Sequence, residues 1–135
     1  MFRGCTSLTS APVLPATTLA KNCYYGMFSG CTNLTSAPKL PATKLVDFCY
    51  AFMFNNCKSL STVTMLAPAS ELNSAWEFNF FNDWLDNNAG TDASSRTLKV
   101  LDAAAYNALE GTGYLPNIWK KGDTGATVLF ENNGK

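Results

Sequence analysis

Hydrophobic and polar positions recur along the first half of the chain with a period of 26 residues. The block Met1-Phe2-Arg3-Gly4-Cys5-Thr6-Ser7-Leu8-Thr9-Ser10-Ala11-Pro12 returns as Met27-Phe28-Ser29-Gly30-Cys31-Thr32-Asn33-Leu34-Thr35-Ser36-Ala37-Pro38. It returns again, more loosely, as Met53-Phe54-Asn55-Asn56-Cys57-Lys58-Ser59-Leu60-Ser61-Thr62-Val63-Thr64. Between the blocks, Leu14-Pro15-Ala16-Thr17 matches Leu40-Pro41-Ala42-Thr43, and Cys23-Tyr24 matches Cys49-Tyr50. A further step reaches Ala75-Trp76, with Phe80 where Phe28 and Phe54 stand, and there the pattern dissolves. Residues 1–70 therefore hold two full units, 1–26 and 27–52, and a degenerate third, 53–70.

Cys23 and Met27 are four residues apart, as are Tyr24 and Phe28, which on a helix places each pair on one face. This spacing predicts a short helix ahead of the Gly-Cys turn, then a strand over 34–37. Pro38 and Pro41 close that strand, because proline has no amide to give to a ladder. A period between 20 and 30 with leucine and cysteine at fixed offsets marks a solenoid of the leucine-rich class. One turn of the solenoid per unit would stack equivalent residues about 4.8 Å apart, the spacing between strands. Leu8, Leu34 and Leu60 then form one buried column, Cys5, Cys31 and Cys57 a second, and Phe2, Phe28, Phe54 and Phe80 a third.

Residues 71–135 read as a cap. Ser74-Ala75-Trp76-Glu77 has the form of a capping box, opening a helix whose apolar stripe is Trp76, Phe80, Phe81, Trp84 and Leu85. Asn87-Asn88-Ala89-Gly90 ends it. A strand over 97–101, a helix from an Asp102 cap to Gly111 and a strand over 127–130 follow. A solenoid needs its terminal face covered, and all three tryptophans lie here. The fold class expected is an α/β repeat: a short leucine-rich-repeat solenoid of 26-residue units with an α+β C-terminal cap, packed as one domain.

Composition narrows function more than fold. Of 135 residues, 47% are hydrophobic and only 15% charged, against about 25% charged in an average soluble domain. Ten basic residues balance ten acidic ones, so no net field favours nucleic acid or an anionic membrane. The balance is uneven along the chain: Arg3, Lys21, Lys39, Lys44 and Lys58 face Asp47 alone in residues 1–70, and the remaining acids lie beyond. There is no histidine, which removes Ser-His-Asp and Cys-His catalysis and imidazole zinc sites. An enzyme would have to work with carboxylates, and those of the tail show no pairing by spacing. No apolar run approaches the roughly 20 residues of a membrane span, and no leader-like segment stands at Met1.

The block Met-Phe-x-Gly-Cys-Thr-x-Leu-Thr-Ser-Ala-Pro, followed by Leu-Pro-Ala-Thr and Cys-Tyr, resembles the BspA-like leucine-rich-repeat proteins of Bacteroides-type bacteria over residues 1–70. The tail is similar to the closing segment of such proteins through Trp84-Leu85 and Gly113-Tyr114-Leu115-Pro116-Asn117-Ile118-Trp119. The resemblance implies an exported, surface-displayed recognition module with no catalytic residues and no cofactor, its leader removed or upstream of this fragment.

Five cysteines leave one odd. Stacked cysteines would lie near the Cα separation of a disulfide, yet their side chains would point in parallel, so the cysteine columns are expected to be reduced and buried rather than joined as disulfides. No CxxC spacing supports a metal. Asp83, Asp86, Asn88 and Asp92 miss the calcium-loop pattern, with glycine in the fifth place and Thr97 in the twelfth, and read as a helix end. Asn33-Leu34-Thr35 matches the glycosylation triplet, but Leu34 belongs to a core column. Tyr24, Tyr50 and Trp76 step by 26 and form an aromatic column, open to two readings: a recognition surface or packing at helical spacing. Thr9 and Ser10, Thr35 and Ser36, and Ser61 and Thr62 would tile the strand face with hydroxyls. The candidate binding surface is Tyr24, Tyr50, Trp76, Thr9, Thr35 and Ser61, for a protein or glycan partner. The alternative is a structural or assembly segment of a larger surface or fibre-like protein, with self-association through the uncapped residues 1–26.

Overall fold

A computed structural model describes residues 2–11, 19, 21, 24–41, 44–73, 81, 83–86, 88–112, 115–122 and 125–131. Four strands, β1 (Ser36–Leu40), β2 (Thr62–Met65), β3 (Thr97–Val100) and β4 (Thr127–Phe130), form one sheet in chain order. Every pair is parallel, and a bridge from Ser10 to Ser36 adds a rung before β1. Helices α1 (Ala69–Leu72) and α2 (Ala103–Gly111) pack against each other. The architecture is α/β. The tail shares the sheet of the repeats: β3 continues it from β2 without a break.

Strand alternation sends Leu40, Val63, Met65, Leu98 and Val100 inward, where all are buried. Pro38 does not end β1, contrary to the sequence expectation. Ser36 pairs with Thr62 but Lys39 with Thr64, so β1 carries one extra residue at Ala37–Pro38. A bulge leaves a residue outside the ladder, which is where a proline costs no hydrogen bond.

Among the described residues the expected short helix ahead of the Gly-Cys turn is absent, and a ribbon of successive turns takes its place. Tyr24, Gly26, Phe28 and Gly30 donate their amides to the carbonyls of Cys49, Ala51, Met53 and Asn55 at 2.8–3.2 Å. The amides that alternate with them, Met27, Ser29 and, after Gly30, Cys31, donate to carbonyls three residues back in their own segment. Every fourth residue takes a positive φ: Gly26 (61°), Gly30 (78°), Phe48 (56°), Phe52 (57°) and Asn56 (62°). A left-handed residue in each turn forbids the i→i+4 bonding of a helix. The Gly-Cys motif has its reason here, since Gly4, Gly30 and Asn56 supply the two residue types that accept this conformation most readily.

Between ribbon and sheet lies the core. Phe28, Cys31, Leu34, Phe54, Cys57 and Leu60 are fully buried. The rings of Phe2, Phe28 and Phe54 stack 5.5 and 5.9 Å apart, within 3° of parallel. The first set is less covered: Phe2 and Leu8 are half-buried and Cys5 is exposed, a departure from the buried columns expected. The tail supplies Phe81, Trp84 and Trp119, all buried. Trp119 Nε1 donates to the Ala89 carbonyl at 2.9 Å, and Arg96 donates to the carbonyls of Ile118 and Gly90 at 2.9 and 3.0 Å.

Of the helix expected from Ser74 to Leu85, residues 74–80 lie outside the described residues. The part at Phe81 and 83–86 is turn, with Asp83 at φ 49°. The Asp102 cap is present, its carboxylate accepting the Ala105 amide at 2.8 Å.

Candidate functional site

The outward positions of the sheet form two rows. One runs Ser10, Ser36, Thr62, Thr97, Thr127, each residue paired in register with the next. Four of the five are exposed and Thr97 is half-buried. At strand spacing the row is about 19 Å long. The second row runs Lys39, Thr64, Lys99, Leu129. Lys99 Nζ lies 3.1 Å from Glu131 Oε2. Hydrogen bonding from Lys99, reinforced by its charge, holds the Glu131 carboxyl below the usual carboxylate range.

The sequence candidates Thr9, Thr35 and Ser61 stand one residue before Ser10, Ser36 and Thr62 of the first row. Thr35 Oγ1 donates to the Thr9 carbonyl at 3.0 Å and Ser61 Oγ to the Thr35 carbonyl at 2.9 Å. The backbone amides of Thr35 and Ser61 donate to those same carbonyls. These two hydroxyls stitch one segment to the next just ahead of the strands; Thr9 and Thr35 are exposed and Ser61 is half-buried. Tyr24 is half-buried and its ring stacks 6.1 Å from that of Tyr50, 2° from parallel. Tyr50 is 1% exposed and offers no recognition surface. Trp76 lies outside the described residues; the Phe81 ring lies 5.6 Å from that of Tyr50. Missing from the candidates were Thr97 and Thr127, legible only as the first residue of each strand-like run in the tail.

Among the described cysteines, Cys5, Cys31 and Cys57 are free thiols, and Cys49 is buried. Cys23 lies outside the described residues. Cys31 Sγ donates to the Phe2 carbonyl and Cys57 Sγ to the Phe28 carbonyl, both at 3.0 Å. The thiol is therefore a weak donor bridging adjacent segments as well as a small apolar filler. Burial pushes the Cys57 thiol up to about 12 and raises that of Cys31 as well. An unfolded thiol ionises near 9.0. Below that pH both states keep the proton; above it the unfolded chain loses it first, so stability falls as pH rises from about 9 toward 12. Cys57→Ser, which removes the titrating group, should flatten this decline in urea unfolding at pH 8 to 11. Alkylation of the native protein at pH 8 should reach Cys5 but spare Cys31 and Cys57. Rapid labelling of Cys57 in the folded protein would contradict the assignment.

Asp86 Oδ1 accepts the amides of Asn56, Asn88 and Ala89 at 3.1, 3.3 and 3.0 Å, so the acidic cluster of the sequence is built around a backbone turn. Among the described residues, no three metal-ligating side chains converge, and no helix is long and apolar enough to cross a membrane. Comparison of the chain with protein-family models, curated proteins and solved structures finds no match.

Proposed function

We propose that this chain is a leucine-rich-repeat module of the BspA-like type, a short solenoid that recognises a protein or glycan partner non-enzymatically outside the cell, through the open face of its sheet. The observation that carries this reading is the in-register row from Ser10 to Thr127, a polar surface spanning both the repeating and the non-repeating halves. Stacking of residues one unit apart supports the solenoid: Phe2 on Phe28 on Phe54, and Ser61 on Thr35 on Thr9. The lack of histidine supports a binding role over acid–base catalysis.

An array of matrix proteins and glycans tests the proposal. A ligand captured by the wild type should be lost by Thr62→Lys, which puts a bulky charge at the centre of the row. It should be kept by Ala104→Lys on the exposed side of α2. Capture unaffected by Thr62→Lys would reject the sheet face. The assembly reading draws on the thin cover over Phe2, Cys5 and Leu8, and concentration-dependent sedimentation abolished by Leu8→Glu would favour it.

A further inference from the structure

The two outward rows of the sheet differ in a way that strand propensity does not explain. The second row changes character at each rung: cation, hydroxyl, cation, leucine. The first keeps a hydroxyl at all five rungs, although the 26-residue repeat has dissolved before Thr97 and Thr127. Threonine suits a strand, but serine is not among the residues that strands favour, and Ser10 and Ser36 hold two of the five places. Solubility alone would be met as well by lysine or glutamate. What the five share is a neutral group that both donates and accepts a hydrogen bond, repeated about every 4.8 Å along a line crossing the strands.

That chemistry selects among ligands. An anionic polymer needs a cluster of cations. The face carries Lys39 and Lys99, the latter engaged by Glu131. A protein partner centres its binding energy on buried tryptophan, tyrosine or arginine, with serine and threonine under-represented, and none of the anchor types stands in either row. An apolar ligand would meet only Leu129. Resting on the recognition role proposed above, we infer that the row from Ser10 to Thr127 is a binding track for a neutral, extended polysaccharide. Its chain lies across the strands, its ring hydroxyls exchange reciprocal hydrogen bonds with successive rungs, and Lys39 serves as an added donor at the margin. Each rung contributes modestly, so affinity accumulates with the number of sugars in register.

Affinity electrophoresis through gels containing a mixed-linkage β-glucan, a mannan or dextran tests this, with heparin as the anionic comparator. At least one neutral polymer should retard the protein, its hexasaccharide should compete, and its monosaccharide should not at the same sugar concentration. The double variant Ser36→Ala/Thr62→Val should lose retardation by about tenfold, while Thr64→Val in the neighbouring row should keep it. Ser36 and Thr62 are exposed and Thr64 is half-buried, and melting temperatures report whether the fold is intact in each variant. Retardation by none of the neutral polymers, stronger retardation by heparin, or indifference to the double variant would overturn the inference. If a protein ligand is bound and lost on Thr62→Lys while no polysaccharide is retained, the recognition face stands and only the polysaccharide assignment falls.

Discussion

Cutting the chain after Ser70 should abolish cooperative unfolding of the remaining fragment. The cut removes β3 and β4, so the outer amides and carbonyls of β2 lose the partners that pair Thr62 to Thr97 and Met65 to Val100. It strips Phe81, Trp84 and Trp119 from the core. The Phe54 amide loses the Trp84 carbonyl, and the Cys57 carbonyl loses the Gly90 amide. Leu60, Val63 and Met65, fully buried in the whole chain, would face water on a long unpaired edge, which is a template for aggregation. Fewer than three units seldom bury a continuous core. Circular dichroism should show a gradual, non-sigmoidal melt of fragment 1–70, and sedimentation should show large species. A monomeric fragment with a sharp transition would mean that residues 71–135 are dispensable to the core.

The sequence made residue equivalence legible and left local conformation ambiguous. Self-similarity aligned Phe2 with Phe28 and Phe54, and the rings do stack, because equal side chains at equal steps meet whatever path the backbone takes between them. The tail strands β3 and β4 and the α2 cap were readable from alternation and from Asp102. The ribbon was not. Its turns place Tyr24 and Phe28 four apart, and a four-residue repeat of turns is hard to distinguish from the 3.6-residue period of a helix over two turns. The discriminating signal was the glycine and asparagine column, Gly4, Gly30 and Asn56, whose left-handed φ excludes helix. Phe48 and Phe52 hide that signal, since bulky residues seldom occupy this region.

The outward row of the sheet was hard to place in the sequence for a related reason. Thr9, Thr35 and Ser61 and their neighbours Ser10, Ser36 and Thr62 are chemically alike, so composition could not separate the stitching hydroxyls from the outward ones. Only the register, Ser36 against Thr62 and Thr62 against Thr97, does so. The cysteines show the same limit. Burial of Cys31 and Cys57 was foreseeable from residue type, whereas their bonds to the carbonyls of Phe2 and Phe28 depend on how adjacent segments meet.

Phe28→Ala should be among the most damaging single substitutions, destabilising by about 3–5 kcal/mol, the range for removing a fully buried phenylalanine. Its ring has no exposure and lies between Phe2 and Phe54, so truncation opens a cavity and deletes two ring contacts. Such pairs are worth about 0.5–1.5 kcal/mol each beyond the area they bury. Relaxation is restricted on every side of the backbone. The Phe28 amide donates to the Met53 carbonyl, and its own carbonyl takes both the Cys31 amide and the Cys57 thiol, so the main chain cannot collapse into the void without breaking two links to the following segment and one within its own turn. Phe2→Ala should cost clearly less, because Phe2 is only half-buried and stacks on one side. Ser36→Ala, on the open face, should stay within about 0.5 kcal/mol. Urea unfolding of the three variants in the full chain measures the order. Against a total stability of about 5–15 kcal/mol for a domain, the Phe28 variant should lose a large share of its folded population margin. Equal losses for Phe28→Ala and Ser36→Ala would mean that the inward and outward faces are assigned the wrong way round.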